Sequence, residues 1–283
     1  MSRKRLIINA DDLGLAESVN RGILETMESG VVTSASLIVN MGAHDDAIRR
    51  LRDARTRGLE VSVGLHFNIV AGTPLTARAS LLDFRTGRFL PLYRLAWRAF
   101  TGRIDRRDVA TELEAQLRAA ETLLLPLGMR VTHIDSHRHT HCLPRILDVV
   151  MRVARDHGIP HVRHPIESPR TLLGRPRAIV PTQLLRLALR SSAALDDIGF
   201  AGFALMGSAA LDRDLDRLVA VLPDGTTELM VHPGYDSPEL AALDPYRAPR
   251  EREVRVLTSP TLRDRLKQLG VELTRFGATA LPA

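Results

Sequence analysis

Cysteine is almost missing from this chain. Cys142 is the only one in 283 residues, so no intrachain disulfide can form and nothing points to an oxidising compartment. Lysine is nearly as scarce: Lys4 and Lys267 are the only two, and arginine supplies almost all the positive charge behind a formal net charge of +6. Aromatic residues make up only 4% of the sequence. Long apolar runs are lacking as well, since no span approaches the ~18 to 20 residues of a membrane helix. The N-terminal run Leu6 to Ile8 is too short for a signal-peptide core. These shortages exclude a disulfide-stapled module and a transmembrane protein. They leave a cytoplasmic protein as the expectation, with peripheral contact at the inner face of the membrane as its one extension. The arginine excess suits anionic partners, but no RRM, zinc-finger or helix-turn-helix signature accompanies it, so nucleic acid is not an expected partner.

A 45% hydrophobic content at this length buries a sizeable core. Short β-branched or apolar runs at Leu6 to Asn9, Ser34 to Val39, Val61 to His66, Arg130 to Ile134, His161 to Arg163, Gly202 to Met206 and Thr227 to Val231 read as strands. Between them Ser18 to Ser29, Asp45 to Thr56, Asp108 to Leu125, Pro144 to His157, Thr182 to Arg190 and Asp212 to Val221 carry apolar residues three and four apart and read as helices. Repeated strand then helix, with near-continuous apolar strands, predicts a parallel sheet covered on both faces. The fold class is therefore α/β, a TIM-like (β/α) barrel, incomplete or distorted, over a single domain 1–283.

Two stretches break the rhythm. Residues 70–107 interleave Phe89, Leu90, Leu92, Tyr93, Leu95, Trp97 and Phe100 with Arg85, Arg88, Arg94, Arg98, Arg103, Arg106 and Arg107, over a length too great for a simple turn. A lid, a dimer contact, a basic amphipathic segment on anionic lipid and plain packing on the barrel all fit this pattern. The second stretch, residues 167–192, reads as a second insertion at the barrel rim.

The chemistry concentrates at strand ends. THIDSHRHTH at 132–141 sets His133, Asp135, His137, His139 and His141 at every second position, so on an extended backbone all five share one face. Imidazole and carboxylate together form a metal-site composition. Asp11 and Asp12 follow the first strand, His66 ends the third and His232 follows the last. In β/α barrels that rim is where active sites are assembled from several loops. One carboxylate and two imidazoles from separate strands would leave positions open for water and substrate, as catalytic metal sites do. By donor type such a set suits zinc, manganese, iron, cobalt or nickel, whereas magnesium prefers more oxygen. The plainer alternatives are that Asp12 caps a helix and that His232 is structural.

NADDLG at 9–14, GLHFN at 64–68, THIDSHRHTH at 132–141 and ELMVHPG at 228–234 together resemble the YdjC/ChbG-like carbohydrate deacetylases, which include a hopanoid-biosynthesis branch. Leu13 stands where that family usually has phenylalanine, a hydrophobic exchange. The resemblance implies a barrel-like, often dimeric enzyme that removes acetyl groups from N-acetylated sugars. It implies Asp12, His66 and His137 as metal ligands, Asp11 as catalytic base, His232 as acid, and magnesium as the ion, with zinc kept as the alternative. His139 or His141 either orients His137 or replaces it. Arg163, Asn68 and His139 are the candidate substrate contacts, with a structural ion pair as the other reading of Arg163.

The expected partner is an N-acetylated sugar, free, oligomeric or carried on a lipid, and a homodimer is the expected assembly. The rivals are hydrolysis of another amide, ester or phosphoester, and a non-catalytic barrel that binds sugar or lipid.

Overall fold

A computed structural model of the chain describes residues 4–29, 31–172, 183, 189 and 197–278. Seven strands lie in one parallel sheet: β1 (Lys4–Leu13), β2 (Ser34–Leu37), β3 (Ser62–Phe67), β4 (Val131–Ser136), β5 (His161–Val162), β6 (Gly199–Ala201) and β7 (Gly225–Val231). Their order is β5-β4-β3-β2-β1-β7-β6. An eighth strand, β8 (Val271–Leu273), pairs with β1 along Lys4 to Leu6, below the point where β2 takes over at Asn9. At the two edges of the sheet, Glu167, downstream of β5, makes a single parallel bridge to Phe200 of β6. The result is the incomplete, distorted α/β barrel that the alternating pattern predicts.

Among the described residues the helices are α1 (Glu17–Glu28), α2 (His44–Thr56), α3 (Leu92–Phe100), α4 (Arg106–Leu124), α5 (Leu147–Asp156), α6 (Leu211–Ala220), α7 (Pro238–Leu243), α8 (Ala248–Leu257) and α9 (Pro260–Gln268). The longer helices bury a periodic stripe, and α4 shows it most plainly. Val109, Leu113, Leu117, Ala120 and Leu124 of α4 are all inaccessible to solvent, the spacing that puts side chains on one helical face. Buried Glu112 and Gln116 interrupt that stripe for a reason. Glu112 accepts from the backbone N–H groups of Leu75 and Thr76, and Gln116 brackets Asn68 by donating to its carbonyl and accepting from its N–H. They pin the start of the 70–107 insertion to the barrel.

Three expectations change. β1 runs on to Leu13, so Asp11 and Asp12 belong to the strand itself. The strand expected over Gly202 to Met206 lies instead at Gly199–Ala201. Gly202, at φ +148°, turns the chain away, and a Cβ there would stand 2.8 Å from the Met230 carbonyl oxygen. Elements α3, α7, α8, α9 and β8 are additions that periodicity did not isolate, whereas the helix expected over Thr182 to Arg190 falls, apart from residues 183 and 189, outside the described residues.

The C-terminal segment closes the end of the barrel where the strands begin. Phe276 stacks on His133 at 4.0 Å and on His161 at 4.7 Å between ring centroids, and its N–H donates to Ser62 Oγ. Burial pushes the His133 imidazole down to about 4, so it packs as a neutral ring. Gly64 leaves the space for that ring: a Cβ there would lie 2.5 Å from three of its atoms.

Gly64→Ala is therefore expected to destabilise the fold by about 1–3 kcal/mol through overpacking, and Phe276→Ala by about 3–5 kcal/mol through the cavity it leaves. Urea unfolding midpoints check both, and an unchanged Gly64→Ala midpoint would show that His133 has room to move.

Candidate active site

Neighbouring residues on a regular strand point to opposite faces, yet Asp11 and Asp12 both reach the cavity at the top of the barrel. The register of β1 against β2 slips between Ala10 and Leu13, and Asp12 adopts φ +70°. This bulge re-aims one carboxylate, and holding a non-glycine residue there costs on the order of 1 kcal/mol or more. Gly14 N–H donating to Asn20 Oδ1 at 2.7 Å and Leu15 N–H donating to the Asp12 carbonyl at 3.0 Å lock the turn that follows.

Asp12 Oδ1 lies 2.9 Å from His137 Nδ1 and 3.4 Å from His66 Nε2. All three side chains are buried, and one donor atom from each lies within 4.8 Å of the others. His66 Nδ1 faces Asp135 Oδ1 at 2.7 Å, the carboxylate–histidine pairing that orients a metal-binding imidazole. Asp12 Oδ2 is taken by Arg250 Nη2 at 2.7 Å, and the same nitrogen reaches Asp244 at 2.8 Å. Arg250 is fully buried and its Nη1 makes no hydrogen bond among the described residues.

Beneath this set lies Arg163, also without solvent exposure. Its two Nη atoms each meet one oxygen of Asp11 at 2.6 Å, its Nε meets Glu228 at 2.9 Å, and Nη2 reaches Asp135 at 2.7 Å. Burial works against charge on Asp11, but Arg163 outweighs it and, with His66 and His232, holds the carboxyl well below the usual range. Glu228 shows the same contest and is held down at about 2. Across the cluster, Asp11, Asp12, Asp135, Glu228 and Asp244 face only two guanidiniums, so buried negative charge is in excess. The excess is visible at His66. Burial disfavours its charged form, but Asp135 and Asp12 pull it up to about 10. A divalent cation among Asp12, His66 and His137 fits this donor set and this charge deficit.

The cleft above the cluster measures about 820 Å³ to its open mouth. Asp11, Asp12, His66, His137, His139 and His232 line it. His232 Nε2 stands 3.9 Å from Asp11 Oδ2, and its ring meets Tyr246 edge-on at 5.5 Å. Glu253 ties both down, accepting from the His232 backbone N–H and from the Tyr246 hydroxyl. His139 packs edge-on against Phe203 at 5.1 Å. Burial, then the charges of Arg163 and His141, keep its pKa well below the ordinary value.

Several expected positions differ. The alternation that put five groups on one face stops at Ser136, where β4 ends. His137 opens a 3-10 turn in which Arg138 and His139 take φ +57° and +53°. His133 and Asp135 lie beneath the rim; His137 comes together with Asp12 and His66, while Asp135 groups with Asp11 and His66. His141 turns inward, with Nδ1 on Ser136 Oγ and Nε2 on the Arg163 carbonyl, so it does not replace His137. Arg163 and Asn68 do not face the cleft. Arg163 is enclosed by its carboxylates, and Asn68 is spent on Asn40, Ala71 and Gln116. Of the three expected substrate contacts, only His139 borders the cleft. Sequence reasoning missed Glu228, Arg250, Asp244, Glu253 and Tyr246. Glu228 had a signal, a lone acid within the buried strand GTTELMV, which needs a partner. Arg250 had none, since it sits in an arginine-rich helix.

Comparison with known proteins places the chain in a family. The family model described as YdjC-like protein matches residues 5–268. A carbohydrate deacetylase from Geobacillus stearothermophilus is 35% identical over 271 residues, covering 95% of this chain and 96% of that protein. A chitooligosaccharide deacetylase from Yersinia enterocolitica is 31% identical over 281 residues, covering 96% and 98%. Among solved structures, a putative cellobiose-phosphate cleavage protein from Enterococcus faecalis V583 shares the fold, with a TM-score of 0.74 at 24% identity over 97% of this chain and 98% of that one. With the family model covering all four sequence motifs and the barrel strands from β1 to β7, the chain belongs to the YdjC-like protein family.

Proposed function

We propose that this chain is a divalent-metal-dependent hydrolase that removes the acetyl group from an N-acetylated amino sugar. The observation that carries the reading is the convergence of Asp12, His66 and His137 beside Asp11 and His232 in one cleft. The carbohydrate and chitooligosaccharide deacetylase names of relatives aligned over nearly the whole chain support it.

Asp12, His66 and His137 would hold the cation, which would supply Lewis acidity toward the acetyl carbonyl and the attacking water. The chain's own groups do the rest. Asp11, gripped on both oxygens by Arg163, keeps its orientation and its charge and accepts the proton of the attacking water. Asp135 holds His66 by Nδ1, and Arg250 holds Asp12 by Oδ2, so neither ligand swings as charge shifts. His232 donates a proton to the amine nitrogen as the C–N bond breaks, releasing acetate and the free amino sugar. Phe203, Met206, Met230 and Tyr246 provide apolar walls for the sugar face and the acetyl methyl group. Two imidazoles in the donor set favour a transition metal such as zinc over magnesium. The cationic groups that a phosphate ester would require are already engaged by carboxylates, which weighs against that rival.

Asp11→Asn is expected to lower acetate release by about 10²- to 10⁴-fold while metal content stays at the parent level. Unchanged turnover would remove Asp11 from the chemistry. His66→Ala and His137→Ala are expected to lose bound metal by elemental analysis, and Asp135→Asn to weaken it about 10- to 100-fold. Full occupancy in both alanine variants would refute the ligand assignment. Acetate release measured on N-acetylglucosamine, diacetylchitobiose and an N-acetylglucosaminyl lipid separates the soluble from the lipid-linked substrate.

A further inference from the structure

The surface has one region unlike the rest. Residues 70–107 hold eight arginines against two aspartates, a net +6 that equals the formal charge of the whole chain. The remainder is formally neutral. The same region holds every exposed aromatic side chain: Phe84 at 85% exposure, Tyr93 at 73%, Trp97 at 52% and Phe100 at 68%. The other seven aromatics of the chain are buried or half-buried.

This is not a failed core. The insertion has its own inner face, with Leu81, Leu90, Leu95, Ala99 and Ile104 all buried against the barrel. Tyr93, Trp97 and Phe100 occupy the opposite face of α3 at spacings of four and three, where a solvated helix carries polar residues. Phe84 tips a tight loop closed by Asp83 N–H to the Arg88 carbonyl at 2.8 Å. Arginines interleave the rings, with Arg103 over Trp97 at 4.4 Å and Arg85 over Phe84 at 5.5 Å. Among the described residues Arg88, Arg103 and Arg107 enter no ion pair.

We propose that this aromatic and arginine-rich face docks on an anionic lipid surface. Rings that sit at the headgroup level, flanked by cations that meet acidic headgroups, are the composition of an interfacial helix. A second copy of the chain fits the same face poorly, because a two-fold interface would lay +6 against +6. The face is also placed to serve the cleft. Leu92, the first residue of α3, lines it, so docking sets the mouth beside the membrane, where a sugar carried on a lipid would be presented. This deepens the proposed function by locating its substrate. The docking measurement needs no turnover, so failure of one leaves the other standing.

Trp97 is the only tryptophan, and its fluorescence reports the face directly. Titration with vesicles of equal parts phosphatidylglycerol and phosphatidylcholine is expected to shift its emission to the blue, reversibly by salt, with no shift on phosphatidylcholine alone. Arg88→Gln combined with Arg103→Gln is expected to weaken partitioning about thirtyfold, at about fivefold per arginine near an anionic surface. Tyr93→Ser combined with Phe100→Ser should abolish co-sedimentation, while acetate release from a soluble N-acetylated sugar stays at the parent level in both variants and certifies their fold. No response to the acidic vesicles overturns the proposal, as does equal binding by the variants. A response to heparin or polyuridylate with none to vesicles assigns the face to another polyanion and overturns it too.

Discussion

The buried guanidinium of Arg163 is the contact on which the site depends. One side chain with no solvent exposure meets Asp11 from β1, Asp135 from β4 and Glu228 from β7. These strands are far apart in sequence, and in the sheet β4 is separated from β1 by β3 and β2. Arg163 therefore acts across the barrel interior, where backbone hydrogen bonds cannot. Removing it would leave three carboxylates buried around one cavity, the situation that costs several kcal/mol when a buried ion pair loses a partner. A neutral side chain of similar volume does not solve this, because the carboxylates serve other groups: Asp135 orients His66, and Asp11 faces His232.

The rim above is held in backbone conformations that the regular strands do not supply. Asp12 at φ +70° and the consecutive left-handed pair Arg138 and His139 are three of only four non-glycine residues with positive φ among the described residues. All three lie at the cleft. Such conformations persist where surrounding contacts over-determine them. Arg250 and His137 grip Asp12, while Ser136, bonded to both the ring and the backbone of His141, fixes the turn that carries Arg138 and His139. Local strain is thus offset by the same ionic and hydrogen-bonded groups that define the site.

This division explains what the sequence disclosed. Alternating strand and helix was legible from periodicity because the barrel core is repetitive, and His66, His137, Asp11, Asp12 and His232 were legible because they stand at strand ends. The five-fold alternation at His133 to His141 misled because period-2 reasoning holds only while the chain stays extended. Nothing in the one-dimensional pattern announces the left-handed pair that ends β4. Arg250 was illegible for another reason. It reaches Asp12 across 238 positions of sequence, and in an arginine-rich chain a functional arginine looks like any other. Arg163 was seen, but its direction was not. The lone Glu228 within a buried strand was the clue that the arginine faces inward.

Asp11 raises a question that the charge count helps to answer. A carboxylate held as acidic as Arg163 makes it is a poor acceptor of a proton from ordinary water. It takes one only where water is far more acidic than in bulk, as beside a divalent cation. Even with Arg163 the cluster is short of positive charge, with five carboxylates against two guanidiniums, which suits the cation that the proposed reaction calls on. The same excess of negative charge, from Asp135 and Asp12, pulls His66 up to about 10. The weakness of the base and the excess of buried negative charge are therefore one arrangement. On the proposed reading, Asp11 would take a proton only with a cation held by Asp12, His66 and His137.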